Sequence, residues 1–392
     1  MHRKEFSMEK LSFPFYHRCF AKIDLGAISD NFELLKAKTG PDTLTCSVIK
    51  ADAYGHGAVR VAKLLQNRTD FFAVAAVDEA ITLRDNDIQK PILVLGYTSP
   101  FEYENLFNYD ITPAIYSLDE AKKLSKLAKK KKAIRKIHIA LDTGMSRIGF
   151  SANEAGADNI AKIAQLDNIE IEGLFSHYAT ADIADKTIAL DQLSLFEKMI
   201  NMLDKRGVTI PIKHISNSAA VIDMDKHFDM VRYGIALYGL YPSEEVNHSS
   251  MRLRPAMSIY SHIVRVQKIP AGQGIGYGHT YIPTKDETIA TISIGYADGY
   301  KRSLTNKGWV LINGKKAPIR GKVCMDLIMV DVTGIENVNI GDIAVIMGTY
   351  TYDSISAETL GELSNSFNYE IVSTFMPRAK RFYYDKDRLL DE

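Results

Sequence analysis

The stretch SVIKADAYGHG (residues 47–57) sets an apolar, strand-like run against a single lysine, Lys50, and then adds Tyr54, a histidine and two glycines. A lysine at the end of a buried strand is partly desolvated, which favours its neutral amine and hence condensation with an aldehyde. Other apolar runs also close on polar groups. Arg147 follows one in DTGMSRIG, His177 ends IEIEGLFSH, Asn217 and Ser218 end IKHISNS, and Arg232 lies in VRYGI ahead of Gly234 and Ile235. Each has a plainer reading alone: a lysine can snorkel, a histidine can be satisfied in a core, an arginine can serve an ion pair. Their recurrence at successive run ends weakens those readings. Ser218 opening a short helix, together with the Gly234-Ile235 backbone, offers the hydroxyl and N–H groups that hold a phosphate. An aldehyde-capturing lysine beside a phosphate cradle points to pyridoxal 5′-phosphate (PLP). No metal is expected.

The elements that must position these residues are legible as a pattern. Short β-branched runs alternate with helix-length amphipathic segments between about residues 20 and 255: 45–51, 71–76, 91–96, 111–115, 136–142, 169–177, 212–218 and 231–238. Eight continuous apolar strands, each followed by a helix such as 117–130 or 191–205, predict a closed (β/α)8 barrel of the TIM type, with its site at the C-terminal strand ends. From about residue 258 the pattern changes to strand pairs without long helices, and Asn313-Gly314 marks a two-residue hairpin, since a type I′ turn needs positive φ at both positions. The expected organisation is an N-terminal extension over 1–20, a PLP-binding barrel over 21–257 and a mostly β domain over 258–392.

Composition bounds the partners. The 392 residues carry 48 basic and 48 acidic side chains, so no net field draws the chain to nucleic acid or an anionic membrane, and a small molecule is the expected ligand. Three widely spaced cysteines, Cys19, Cys46 and Cys324, fit reduced thiols in a cytoplasm. No signal peptide or membrane span is read.

The segments SVIKADAYGHG (47–57), LDTGMSRIGF (141–150), SHYATAD (176–182), ISNSAA (215–220), VRYGIALYG (231–239), GYGHTY (276–281), SIGYADGY (293–300) and GKVCMD (321–326) together resemble the alanine racemases, from about Ala21 to Arg381. The resemblance implies a PLP-dependent isomerase, a homodimer with shared active sites, an amino-acid substrate and a supply of D-alanine for the cell wall. By that resemblance Lys50 carries PLP and is one base, and Tyr277 of the partner subunit is the base on the opposite face. A tyrosine with an ordinary pKa near 10 needs nearby positive charge to serve, and the resemblance supplies it through Arg232 and His177. Arg232 is expected at the pyridine nitrogen and Arg147 at the phenolic oxygen and substrate carboxylate. Tyr54, Ser218, Gly234 and Ile235 are expected at the phosphate, with Asn217 beside them, and Met325, Asp326 and Tyr296 at the substrate and its entryway.

Two positions depart from the family pattern. Ala140 stands where many members have a lysine that steers the arginine matching Arg147, and Pro377 aligns with a tyrosine that touches the phosphate and limits room for the substrate. More space predicts a serine or broader-specificity racemase as the alternative to one committed to alanine, and assays on Pro377→Tyr would test it. A decarboxylase of the same fold would not need GYGHTY, and a non-catalytic PLP-binding protein would not need the β domain.

Overall fold

The computed structural model describes residues 13–375, 378–385 and 388–391. The chain divides into a barrel unit, Ala27–Arg254, and a sheet unit made of the described residues before it and those from Pro255 onward. Strand β1 (Cys19–Asp24) pairs with strands of the sheet unit, which places residues 19–24 outside the barrel. The cause is local: Phe20 and Ile23 are fully buried there.

In the barrel unit, β2 (Leu44–Val48), β3 (Phe71–Val74), β4 (Ile92–Val94), β5 (Thr112–Ile115), β6 (Arg135–Asp142), β8 (Ile169–Phe175), β9 (Ile212–His214) and β10 (Met230–Tyr233) run parallel, and the short β7 (Phe150–Ser151) pairs only with β6. β10 pairs with β2 at one end of this order, and β9 stands at the other. Backbone bonds from Asp229 N to Lys213 O (3.0 Å) and from Arg232 N to Ser216 O (3.1 Å) draw β10 to the β9 segment, so the eight strands form a barrel. The strands are shorter than the apolar runs that announce them. β2 stops at Val48 because Ala51, Asp52, Ala53 and Tyr54 all take positive φ, which turns the chain off the sheet. Two of the barrel helices start on side-chain caps: Ser117 accepts from Glu120 N at 3.2 Å to open Leu118–Lys131, and Asn217 accepts from Ala220 N at 3.1 Å to open Ser218–Asp223.

The sheet unit contains β11 (Met257–Ile269), β12 (Glu287–Ile292), β13 (Trp309–Ile312), β14 (Lys315–Pro318), β15 (Ile328–Asp331), β16 (Ile343–Tyr350), β17 (Asp353–Ile355), β18 (Lys380–Asp385) and β19 (Arg388–Asp391). The long β11 is shared by neighbours, pairing antiparallel with β1, β12 and β16. The β13–β14 hairpin turns at Asn313 (φ 49°) and Gly314 (φ 73°), the geometry its two turn residues predict. No described helix is long and apolar enough to cross a membrane.

Candidate active site

Lys50 does not end a strand; it opens a single left-handed turn. φ is 50° at Ala51, 53° at Asp52, 55° at Ala53 and 52° at Tyr54. Four consecutive non-glycine residues in this region cost about 1–2 kcal/mol each, so the surroundings must hold them. Asp52 Oδ1 accepts from Ala58 N at 2.7 Å, Glu79 Oε1 from Ala51 N at 2.6 Å, and the chain leaves through Gly55 at φ 82°. The turn sets the half-buried amine of Lys50 and the buried phenol of Tyr54 on one stretch of five residues. Burial, and then the positive charges of Arg147 and Arg232, push the Lys50 amine below its ordinary range, with Glu79 opposing them.

Arg232 is buried on β10 among carbonyls and imidazoles. Its NH2 donates to Ser176 O (2.8 Å), Ile215 O (3.0 Å) and Nδ1 of His177 (3.2 Å), and its NH1 donates to Nδ1 of His214 (2.8 Å). Burial lowers the guanidinium to about 10, still protonated at neutral pH. His177 is held down to about 3 by burial first and then by the charges of Arg232, Arg147 and Lys50. It is therefore neutral, with Nδ1 accepting and its proton on Nε2.

Behind Arg232 lies a chain that the spacing of the sequence did not disclose. His214 Nε2 is 2.9 Å from His138 Nδ1, His138 Nε2 is 3.3 Å from Glu172 Oε2, and Lys136 Nζ is 2.8 Å from Glu172 Oε1. Burial keeps both histidines below their ordinary range. Burial pushes the Glu172 carboxyl up, but hydrogen bonds from His138 and Lys136 outweigh it and the group lies below its usual value. The only signal available beforehand was alternation: Lys136, His138 and Ala140 share one face of β6.

The loop that carries Arg147 is built on Asp142, whose Oδ1 accepts from Gly144 N and Ser146 N, both at 2.9 Å. Gln192 ties that loop to the next: its Nε2 donates to His177 O (3.1 Å) and Thr143 Oγ1 (3.4 Å), and its Oε1 accepts from Ala179 N (2.8 Å). Arg147 itself is exposed, and no described residue engages its guanidinium in a hydrogen bond or ion pair. Ala140 is buried with Ala114 and Phe175, and Leu95 and Tyr116 pack against them, so apolar contacts occupy the place of the family lysine.

Ser218, Gly234 and Tyr54 meet in a cradle. Ser218 Oγ accepts from Gly234 N (3.0 Å) and Ala236 N (3.3 Å), and a Cβ placed on Gly234 would stand 3.3 Å from the Tyr54 hydroxyl and 3.4 Å from Ser218 Oγ. Two hydroxyls and a run of backbone N–H groups around a glycine fit a phosphate. Ile235 is buried beside them, and Asn217 acts as the cap of the short helix.

The remaining expected residues belong to the sheet unit. Tyr277 is 71% exposed, and it lines a hollow of about 640 Å³ with Cys324, Met325, Asp326, Gly276 and Met329. Tyr296 is joined to the same loop, its N–H donating to Cys324 O at 3.0 Å. Asp326 is engaged: Arg378 NH2 donates to its Oδ1 at 2.6 Å and Arg18 NH2 to its carbonyl at 2.9 Å, and both arginines pair with the buried Asp298. Pro377 lies outside the described residues. Tyr383 and Tyr384 are buried side chains of β18.

A parallel barrel with a lysine amine of lowered basicity just past β2, a buried arginine on β10 and a hydroxyl-and-amide cradle, followed by a β domain, fits the class of barrel enzymes that take a phosphorylated aldehyde cofactor. Family models for the alanine racemase N-terminal domain and C-terminal domain match residues 23–242 and 256–383. The chain is 45% identical to an alanine racemase of Methanococcus maripaludis over 369 residues, 94% of this chain and 99% of that one. An alanine racemase structure from Clostridium difficile superposes with a TM-score of 0.92 at 40% identity, covering 96% of this chain and 98% of its own. One from Bartonella henselae, with covalently bound pyridoxal phosphate, gives 0.84 at 30% identity over 94% and 100%. The chain belongs to the alanine racemase family.

Proposed function

We propose that this chain interconverts L- and D-alanine with PLP as cofactor, as a homodimer whose subunits share each site. The observation that carries the reading is the convergence of Lys50, Arg232, His177 and the Tyr54–Ser218–Gly234 cradle at one mouth of the barrel in a member of this family. When bound, PLP supplies an electrophilic carbon and a conjugated ring that draws electrons from the substrate's α-carbon.

The chain's own residues do the rest. The cradle would hold the phosphate, and the Lys50 amine, kept neutral by its surroundings, would hold the aldehyde end and, once released, carry a proton to or from one face of the α-carbon. Arg232 would lie at the ring nitrogen. A guanidinium donates a hydrogen bond without giving up its proton, so it would leave that nitrogen unprotonated and hold side reactions down. Arg147 binds the substrate carboxylate. Racemisation needs a second proton carrier on the opposite face, and that role falls to the partner subunit's Tyr277. Nε2–H of His177, whose Nδ1 is held by Arg232, is the donor that would favour its phenolate. Met325, Asp326 and Tyr296 of the partner subunit would border the substrate entry.

The test is α-proton exchange in deuterated water, followed by proton NMR on L-alanine, L-serine and larger amino acids with and without PLP. Exchange with inversion on alanine, dependent on PLP, is the expected result. PLP binding without exchange on any amino acid would leave a non-catalytic PLP protein instead.

A further inference from the structure

Glu79, third residue of the helix Val77–Arg84, has both carboxylate oxygens engaged in a way a helix cap does not need. Oε2 accepts from Ala75 N (2.7 Å) and Ala76 N (3.2 Å), which caps its own helix after β3. Oε1 reaches across to the neighbouring strand end and accepts from Ala51 N at 2.6 Å. Ala51 is the first of the four left-handed residues and directly follows Lys50. One carboxylate thus ties the end of β3 to the amide where the strained turn begins.

We propose that Glu79 is a positioning residue for Lys50: by accepting the Ala51 N–H it fixes the backbone at the first left-handed residue and so fixes the direction from which the amine reaches its aldehyde. The proposal rests on the reading of Lys50 as the PLP lysine. A charged acceptor on a backbone N–H is about twice as strong as a neutral one, and the turn it holds carries both Lys50 and the phosphate-side Tyr54. The carboxylate has a second effect of opposite sign, because its negative charge favours the protonated amine of Lys50. The two effects can be separated. Losing the charge makes the amine neutral at lower pH and more reactive, whereas losing the anchor makes it misdirected.

The experiment uses the full-length chain freed of PLP, as wild type, Glu79→Ala, Glu79→Gln and, as a matched loss of a helix cap elsewhere in the barrel, Ser117→Ala. Acylation of Lys50 across pH is read by peptide mass spectrometry, and PLP affinity by equilibrium dialysis. In both Glu79 variants Lys50 acylation should begin at lower pH, while the Kd for PLP rises at least tenfold. Ser117→Ala should lower Tm and leave both readouts within twofold. Unchanged PLP affinity in Glu79→Gln, or an equal loss in Ser117→Ala, overturns the proposal. Should Glu79→Ala fail to fold, Glu79→Gln decides alone. A wild-type chain that binds no PLP would overturn the cofactor reading itself, an outcome distinct from the others.

Discussion

Arg232 NH1 and His214 Nδ1 are 2.8 Å apart inside the barrel, and the direction of that bond fixes a row of protons. A guanidinium has only donors, so His214 must accept at Nδ1 and carry its proton on Nε2. That proton is given to Nδ1 of His138, whose own proton on Nε2 then goes to the carboxylate of Glu172. The buried charge of Arg232 is thus answered by Glu172 through two neutral imidazoles.

Nitrogen-15 NMR of histidine-labelled protein should show one tautomer, Nε2–H, for His138, His177 and His214, unchanged from pH 8 down to 6. A protonated imidazolium or an Nδ1–H signal from any of the three would contradict the bond directions.

Stability should fall in mild acid. All three imidazoles have folded values below the ordinary 6.5, His177 near 3, so below pH 6.5 the unfolded chain binds protons that the folded chain does not. Their contribution is therefore intact above pH 6.5 and shrinks as pH drops, by at most about 1.4 kcal/mol per pH unit for each histidine. Urea unfolding at pH 7, 6 and 5 measures the slope, which His177→Asn should reduce by one histidine's share.

Gly173 of β8 leaves room for His138: a Cβ there would lie 2.3 Å from the ring nitrogen Nδ1. Gly173→Ala should displace the ring, break the bonds to His214 and Glu172, and cost about 1–3 kcal/mol or more through overpacking. Thermal unfolding reads the loss, and a Tm equal to wild type would mean the barrel interior can yield.

Gly234→Ala should weaken PLP binding at least tenfold with little change in Tm, since the new methyl group enters the space between the Tyr54 hydroxyl and Ser218 Oγ. Equilibrium dialysis with PLP checks it, and unchanged affinity would remove Gly234 from the cradle.

Lys50→Ala and Tyr277→Phe subunits should each be inactive alone and regain activity when mixed, because one hybrid site per dimer would hold both bases. No recovery after proven subunit exchange would place the two bases on one chain.

The sequence by itself determined the eight barrel strands, the change to strand pairs and the hairpin at Asn313-Gly314, because periodicity and turn chemistry are local. It also marked Lys50, Arg232 and Ser218 as polar residues closing apolar runs; in the structure Lys50 lies just past β2, Ser218 opens the helix after β9, and Arg232 sits within β10. Only the tertiary structure decided that β1 belongs with the second sheet, since its partners Met257–Ser261 and Lys380–Tyr384 lie more than two hundred residues along the chain. The left-handed turn after Lys50 has no glycine within it to announce it; it exists because Glu79 and Asp52 hold it. The row from Arg232 to Glu172 was equally hidden. His138 and His214 are 76 residues apart, and whether two inward side chains meet depends on strand register and barrel closure, which no local pattern encodes.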